Sequence, residues 1–167
     1  DIAASPLIDS LQIGTYSGDD HQLLSISGTT YAVAFTGGDE DAATIATFDV
    51  TAAGQIGATL IDTQIIDTAA GFYISFENLG GSTFAVAYKG ASSFGFMKTV
   101  SISNTGVISG VVGTLEFEAI NTIEYPSLIL VPSTSILAVA YRGEGNDGYL
   151  TTATVSAVYL WYDKLAR

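Results

Sequence analysis

The sequence predicts an all-β repeat protein: three units of about 53 residues, each carrying a four-stranded antiparallel sheet. Three observations carry this. First, a five-residue phrase recurs at a constant interval of 53 residues, as Tyr31-Ala32-Val33-Ala34-Phe35, Phe84-Ala85-Val86-Ala87-Tyr88 and Leu137-Ala138-Val139-Ala140-Tyr141. Second, 18 Gly, abundant Ser and Thr and only 13% charged residues disfavour helix and suit short strands joined by tight turns. Third, no window sustains the i, i+3, i+4, i+7 apolar spacing of an amphipathic helix, so helix is expected to be nearly absent.

Each unit holds four apolar runs of strand length, separated by Gly, Asp, Asn or Ser clusters. In the first unit they span about residues 7–13, 21–27, 30–36 and 43–50. The first run, Asp9-Ser10-Leu11-Gln12-Ile13, corresponds to Asp62-Thr63-Gln64-Ile65-Ile66 and Gly113-Thr114-Leu115-Glu116-Phe117. The second, Gln22-Leu23-Leu24-Ser25-Ile26, corresponds to Tyr73-Ile74-Ser75-Phe76-Glu77 and to Pro126 through Val131. The third is the repeated phrase. Alternation puts Tyr31, Val33 and Phe35 on one face and Ala32 and Ala34 on the other. Neither face is polar, so both are expected to be buried. The alanine face carries only methyl groups, which permits close approach of a second sheet. Each phrase ends two residues before Gly37, Gly90 or Gly143, read as turn residues that supply positive φ. The fourth run, Thr47-Phe48-Asp49-Val50, matches Thr99-Val100-Ser101-Ile102 and Thr152-Ala153-Thr154-Val155. The units divide at about 1–53, 54–106 and 107–156, and residues 157–167 leave the pattern as a C-terminal strand or tail.

Four antiparallel strands in about 50 residues is the pattern of a β-propeller blade. On these residues the chain resembles a β-propeller repeat protein over nearly its whole length. The segment Ala138-Val139-Ala140-Tyr141-Arg142-Gly143, followed by Asn146-Asp147-Gly148 and Tyr149, is similar to a microbial propeller motif. The Trp-Asp ending of Trp-Asp-repeat blades, the paired glycines of kelch blades and the Asp-box spacing of sialidase-type blades are not found in the sequence. A β-sandwich does not usually repeat at this interval, and solenoid coils are normally shorter.

Closed propellers use about four to eight blades, whereas this sequence supplies three. The resemblance therefore implies completion by oligomerisation, with a dimer of six blades favoured and a filament or excision from a longer array as the other outcomes. Tyr159, Trp161 and Tyr162 in the C-terminal segment are the candidate interface residues, either docking on a neighbouring subunit or covering their own last blade.

The net charge of −12 repels phosphate backbones and anionic headgroups, so nucleic acid and acidic membrane surfaces are not expected partners. No apolar run approaches the roughly 18–20 residues of a membrane span. There is no Cys, hence no disulfide or thiolate metal site. The acidic, Lys-poor, Thr/Ser/Gly-rich composition is read as that of a secreted or cell-surface protein, and the start at Asp1 fits either removal of a signal peptide or excision from a longer chain.

The loops after the third run are the expected location of a site. Asp39, Asp41, Asn146, Asp147 and Tyr149 are the candidate ligand-binding residues, for a glycan or a protein. Asp39, Glu40 and Asp41 are the candidate oxygen ligands for Ca²⁺, with turn formation as the plainer role. The equivalent loop Ala91-Ser92-Ser93-Phe94-Gly95 has no carboxylate, which argues against a metal in every unit. His21, the single histidine, is expected to be a solvated loop residue. Lys89 and Arg142 share the repeat position of Thr36 and are expected to pair with loop carboxylates. No Gly-x-Ser-x-Gly elbow is present, and no catalytic residue is assigned. The sequence is thus read as a non-enzymatic module acting through self-association or partner binding. A carbohydrate-binding module and a glycoside hydrolase or lyase are the alternatives.

Overall fold

The computed structural model describes residues 7–14, 19–37, 41–155 and 160–161. They form three four-stranded antiparallel sheets. Sheet one contains β1 (Asp19–Ser27), β2 (Thr30–Gly37), β3 (Ala42–Asp49) and β4 (Asp62–Asp67). Sheet two contains β5 (Phe72–Gly80), β6 (Thr83–Lys89), β7 (Gly95–Ile102) and β8 (Ile108–Glu118). Sheet three contains β9 (Glu124–Leu130), β10 (Ile136–Arg142), β11 (Gly148–Val155) and β12 (Leu160–Trp161). In each sheet the strands lie in chain order. Three-residue 3₁₀ turns at Ala91–Ser93 and Glu144–Asn146 interrupt the loops.

The second, third and fourth runs of each sequence unit become the first three strands of a sheet. The fourth strand of sheets one and two comes from the first run of the following unit, since Asp62–Asp67 pairs with β3 and Ile108–Glu118 with β7. The physical reason is local. The chain after β3 folds back through a tight turn, marked by the Val50–Ile56 bridge, and the run that follows meets the open edge of β3 first. Residues 7–14 carry the same sequence pattern as β4 but belong to no sheet.

The sheets stack face to face through the repeated phrase. Ala32 and Ala34 of sheet one share a core with Phe76, Phe84, Val86 and Tyr88 of sheet two. Ala85 and Ala87 of sheet two share the next core with Leu128, Leu137, Val139 and Tyr141 of sheet three. The alanine face of one sheet thus receives the bulky face of the next, as the alternation implies. Burial of each bulky side chain is worth roughly 1.5–3 kcal/mol.

The loop glycines have a different role from the one expected. Gly90 (φ −102) and Gly143 (φ −120) lie outside the left-handed region. They are needed for space: a Cβ would stand 2.4 Å from the Phe96 ring at Gly90 and 2.7 Å from the Tyr149 ring at Gly143. Positive φ falls two to three residues later, at Ser92, Ser93, Gly145 and Asn146.

A partly buried polar cluster also fastens sheet one to sheet two. The Asp67 carboxylate accepts the Tyr88 hydroxyl at 2.6 Å and the Lys98 ammonium at 2.9 Å. Burial by itself would raise the Asp67 carboxyl. Bonds from Tyr88, the Ala69 backbone and Lys98, with the Lys98 charge, outweigh it and hold the group below its ordinary value. The Tyr88 phenol is pushed up, first by burial and then by its bond to the Asp67 carboxylate. Because the folded value of Asp67 is depressed, its contribution is present above the unfolded carboxyl value of ~3.9 and is lost as pH falls through the folded value. Tyr88 is raised, so its contribution is complete below ~10 and declines as pH rises toward its folded value. Tyr88→Phe is expected to remove that alkaline share and to shrink the acid-side loss. Urea midpoints measured across pH check this; identical profiles for the two proteins would contradict it.

Candidate functional site

The described loop residues singled out in the sequence are spread along one rim. Asp41 is exposed at the start of β3 with φ 55. Asn146 and Asp147 are exposed in the turn before β11, where the Asp147 carbonyl accepts the Gly143 N–H at 2.9 Å. Tyr149 is part-buried and stacks on Tyr141 at 5.6 Å, just as Phe96 stacks on Tyr88 at 6.0 Å. Asp39, Glu40, Tyr159 and Tyr162 lie outside the described residues, and Trp161 is described only as backbone of β12, paired with Thr154. Among the described residues, no group of three or more His, Asp or Glu side chains is placed to hold a metal ion. His21 is not in a loop; it is an exposed residue of β1 whose ring stacks over Phe35 at 6.0 Å.

The same rim carries a cluster that the loops did not announce. The pairing of β1, β5 and β9 with their neighbours is irregular at this end. The residues at the irregularities, Asp20, Tyr73 and Tyr125, have φ of 54, 56 and 50. Such bulges re-aim a side chain. The left-handed region costs a non-glycine residue about 1–3 kcal/mol, and bulky side chains are rare there. These three positions are equivalent by repeat, and they converge. The Asp20 carboxylate accepts the Tyr73 N–H at 2.6 Å. The Tyr73 and Tyr125 rings meet at 4.4 Å between centroids, tilted by 47°.

Among the described residues, Lys89 and Arg142 stand at this cluster rather than at loop carboxylates. The Lys89 ammonium lies 5.5 Å from the Tyr73 ring centre, and the Arg142 guanidinium 5.4 Å from that of Tyr125. Arg142 also forms an ion pair with Glu124, at the start of β9. Lys89 has no carboxylate partner among the described residues. Tyr73 is harder to ionise than a free phenol, through desolvation first and then through its bond to Tyr125 and the nearby Asp20 charge, with Arg142 opposing. Asp20, His21, Gln22, Tyr73 and Tyr125 line a depression of 250 Å³. A neighbouring one of 420 Å³ is lined by Asn121, Thr122, Glu124, Arg142, Glu144 and Asn146. The available sequence signal was positional: Tyr73 and Tyr125 share a side chain but Asp20 does not, and only alignment of the three units brings them together.

The two ends of the stack form a second feature. Leu23 pairs with Val33 as Phe76 pairs with Val86 and Leu128 with Val139. Phe76 and Leu128 are buried against the preceding sheet, whereas Leu23, with no sheet before it, is 61% exposed. At the other end, Leu150 pairs with Ala140 as Ile45 pairs with Ala34 and Met97 with Ala87. Ile45 and Met97 are fully buried; Leu150 is 73% exposed. Ala140 and Ile129 beside it are exposed as well.

The front of sheet one is partly covered by residues 7–14. Asp9 accepts the Ile56 N–H at 2.9 Å, as Asp62 accepts the Ile108 N–H at 2.8 Å between sheets one and two. The segment therefore sits on sheet one as β4 sits on sheet two. It leaves an apolar groove of 180 Å³ lined by Leu11, Ile13, Leu23, Val33, Phe48 and Ile56.

No protein-family model matches the sequence, and comparison with curated proteins finds no match. Among solved structures, the fold is similar to an α-L-arabinofuranosidase from Lactobacillus brevis, with a TM-score of 0.47 and 8% identity over 84% of this chain. The chain spans 54% of that protein's length. A likeness this distant carries no argument about activity.

Proposed function

We propose that the protein is a non-enzymatic, propeller-like module that associates head to tail, seating the front of sheet one on the back of sheet three of a second copy. The observation that carries this is the repeat equivalence of the two ends. Leu23 and the groove beside it occupy the positions through which sheets two and three receive their predecessors. Ala140 and Leu150 occupy the positions through which sheets one and two receive their successors. The contact is thus a third instance of an interface already made twice within the chain. Exposed apolar faces of this kind mark association surfaces. Head-to-tail contacts close into rings when the rotation permits and otherwise propagate. Two chains about a twofold axis give six blades, the assembly favoured by the sequence.

Light scattering after gel filtration tests the reading. The wild-type chain is expected at twice the single-chain mass, or at larger concentration-dependent masses if contacts propagate. Leu150→Asp and Leu23→Asp, each at an exposed site, are expected to give the single-chain mass with unchanged circular dichroism. A wild-type chain that stays at the single-chain mass at high concentration overturns the proposal.

A further inference from the structure

We infer that the cluster at the first ends of β1, β5 and β9 is a binding site for an acidic saccharide, distinct from the association faces. Three residues at equivalent positions are held in a conformation that glycine adopts without strain, yet none of the three is glycine. Strain retained at the same place in three sheets, with the re-aimed side chains meeting, points to use rather than to accident of the fold.

The chemistry on offer is specific. Tyr125 is 61% exposed, so an aromatic ring lies open at the rim. Aromatic rings pack against the apolar C–H face of a sugar, and the polar groups around them take its hydroxyls. The Asp20 carboxylate uses one oxygen for the Tyr73 N–H, and the other can accept a hydroxyl proton. Gln22 lines the same depression with a side-chain amide.

The charge pattern then selects among sugars. Arg142 is neutralised by Glu124, whereas Lys89 has no such ion pair among the described residues. Lys89, Lys98 and Arg142 are the basic residues of the described part of the chain, and two of them stand at this cluster in a protein of net charge −12. An ammonium without a carboxylate partner among the described residues, beside the Tyr73 ring, suits the carboxylate of a uronic acid through a charge-assisted hydrogen bond. Every group named belongs to one chain, so the site does not require association.

Titration calorimetry with galacturonate, glucuronate and mannuronate trisaccharides, against a neutral galactose trisaccharide, tests the inference. At least one uronate is expected to bind, roughly tenfold or more tighter than the neutral sugar, and more weakly as salt rises. Lys89→Gln is expected to abolish that preference. Tyr125→Gly is expected to remove binding while holding or raising the thermal midpoint, because it relieves the left-handed backbone. Binding by the Leu150→Asp chain separates this result from the fate of the head-to-tail proposal. The inference is overturned if no uronate binds, if the neutral sugar binds equally, if Lys89→Gln changes nothing, or if Tyr125→Gly lowers the midpoint sharply.

Discussion

Replacing Gly71 by alanine is expected to cost roughly 3 kcal/mol or more. Gly71 lies in the short connection between β4 and β5. A Cβ there would stand 2.4 Å from both the Cβ and the backbone N of Ala43, and 2.5 Å from its Cα. Two of those three atoms are backbone, so no rotamer change relieves the clash. Ala43 is fully buried in β3 and pairs with Thr36 of β2. Thr36 in turn donates its hydroxyl to the Gly71 carbonyl, so displacing Gly71 also threatens a buried hydrogen bond. The backbone of Gly71 is not left-handed, and the demand is purely one of space. Gly80 is the contrasting control. It has φ 100, and a methyl added there would meet nothing within 4 Å, so Gly80→Ala should cost about 1 kcal/mol through backbone strain alone. Urea unfolding of the two variants checks the ordering; a G71A midpoint equal to wild type would refute the steric account.

Strands were legible in the sequence wherever the physics was local and repeated. The alternation in Tyr31 to Phe35 is a property of the strand itself, and both faces of β2 and β6 are buried as it implies. The grouping of strands into sheets was less accessible. Four runs repeated three times are a cyclic pattern, and nothing in Asp62 to Ile66 says whether it closes the preceding sheet or opens the next. That choice is made by the turn around Val50 and Ile56, which delivers the run to the free edge of β3. Gly90 and Gly143 misled for a related reason. A glycine before a turn suggests positive φ, but here it makes room for a ring on the next strand, Phe96 or Tyr149, that no local pattern reveals. The rim cluster was hidden by divergence. Asp20, Tyr73 and Tyr125 share a backbone conformation, but Asp20 breaks the residue match and the two tyrosines fall 52 rather than 53 residues apart, so a search at the fixed interval passes over them. Lys89 and Arg142 were visible as a repeated basic position; among the described residues their partners are the rings at the strand starts and Glu124.

The substitution Ala→Leu at the last alanine of each phrase is expected to give three unequal results from one chemical change. Ala34 and Ala87 are fully buried, each facing the bulky side of the next sheet. Three added carbon atoms at Ala87 must displace Leu137, Val139 or Tyr141, and overpacking of this kind costs about 1–3 kcal/mol. Ala34→Leu should behave alike against Phe84, Val86 and Tyr88. Ala140 is exposed, and Ala140→Leu should leave single-chain stability within about 0.5 kcal/mol of wild type. Its effect should appear in association instead. If sheet three receives a second copy as sheet two receives sheet three, the leucine blocks the close approach that the methyl permits, and the measured mass falls to that of one chain. Comparable destabilisation by all three substitutions, measured on chains held apart by Leu23→Asp, would mean that the alanines serve the strand itself. Destabilisation confined to positions 34 and 87, with loss of mass at 140, would mean that they serve the neighbour. At the third copy, head-to-tail association, as proposed, supplies that neighbour from a second chain.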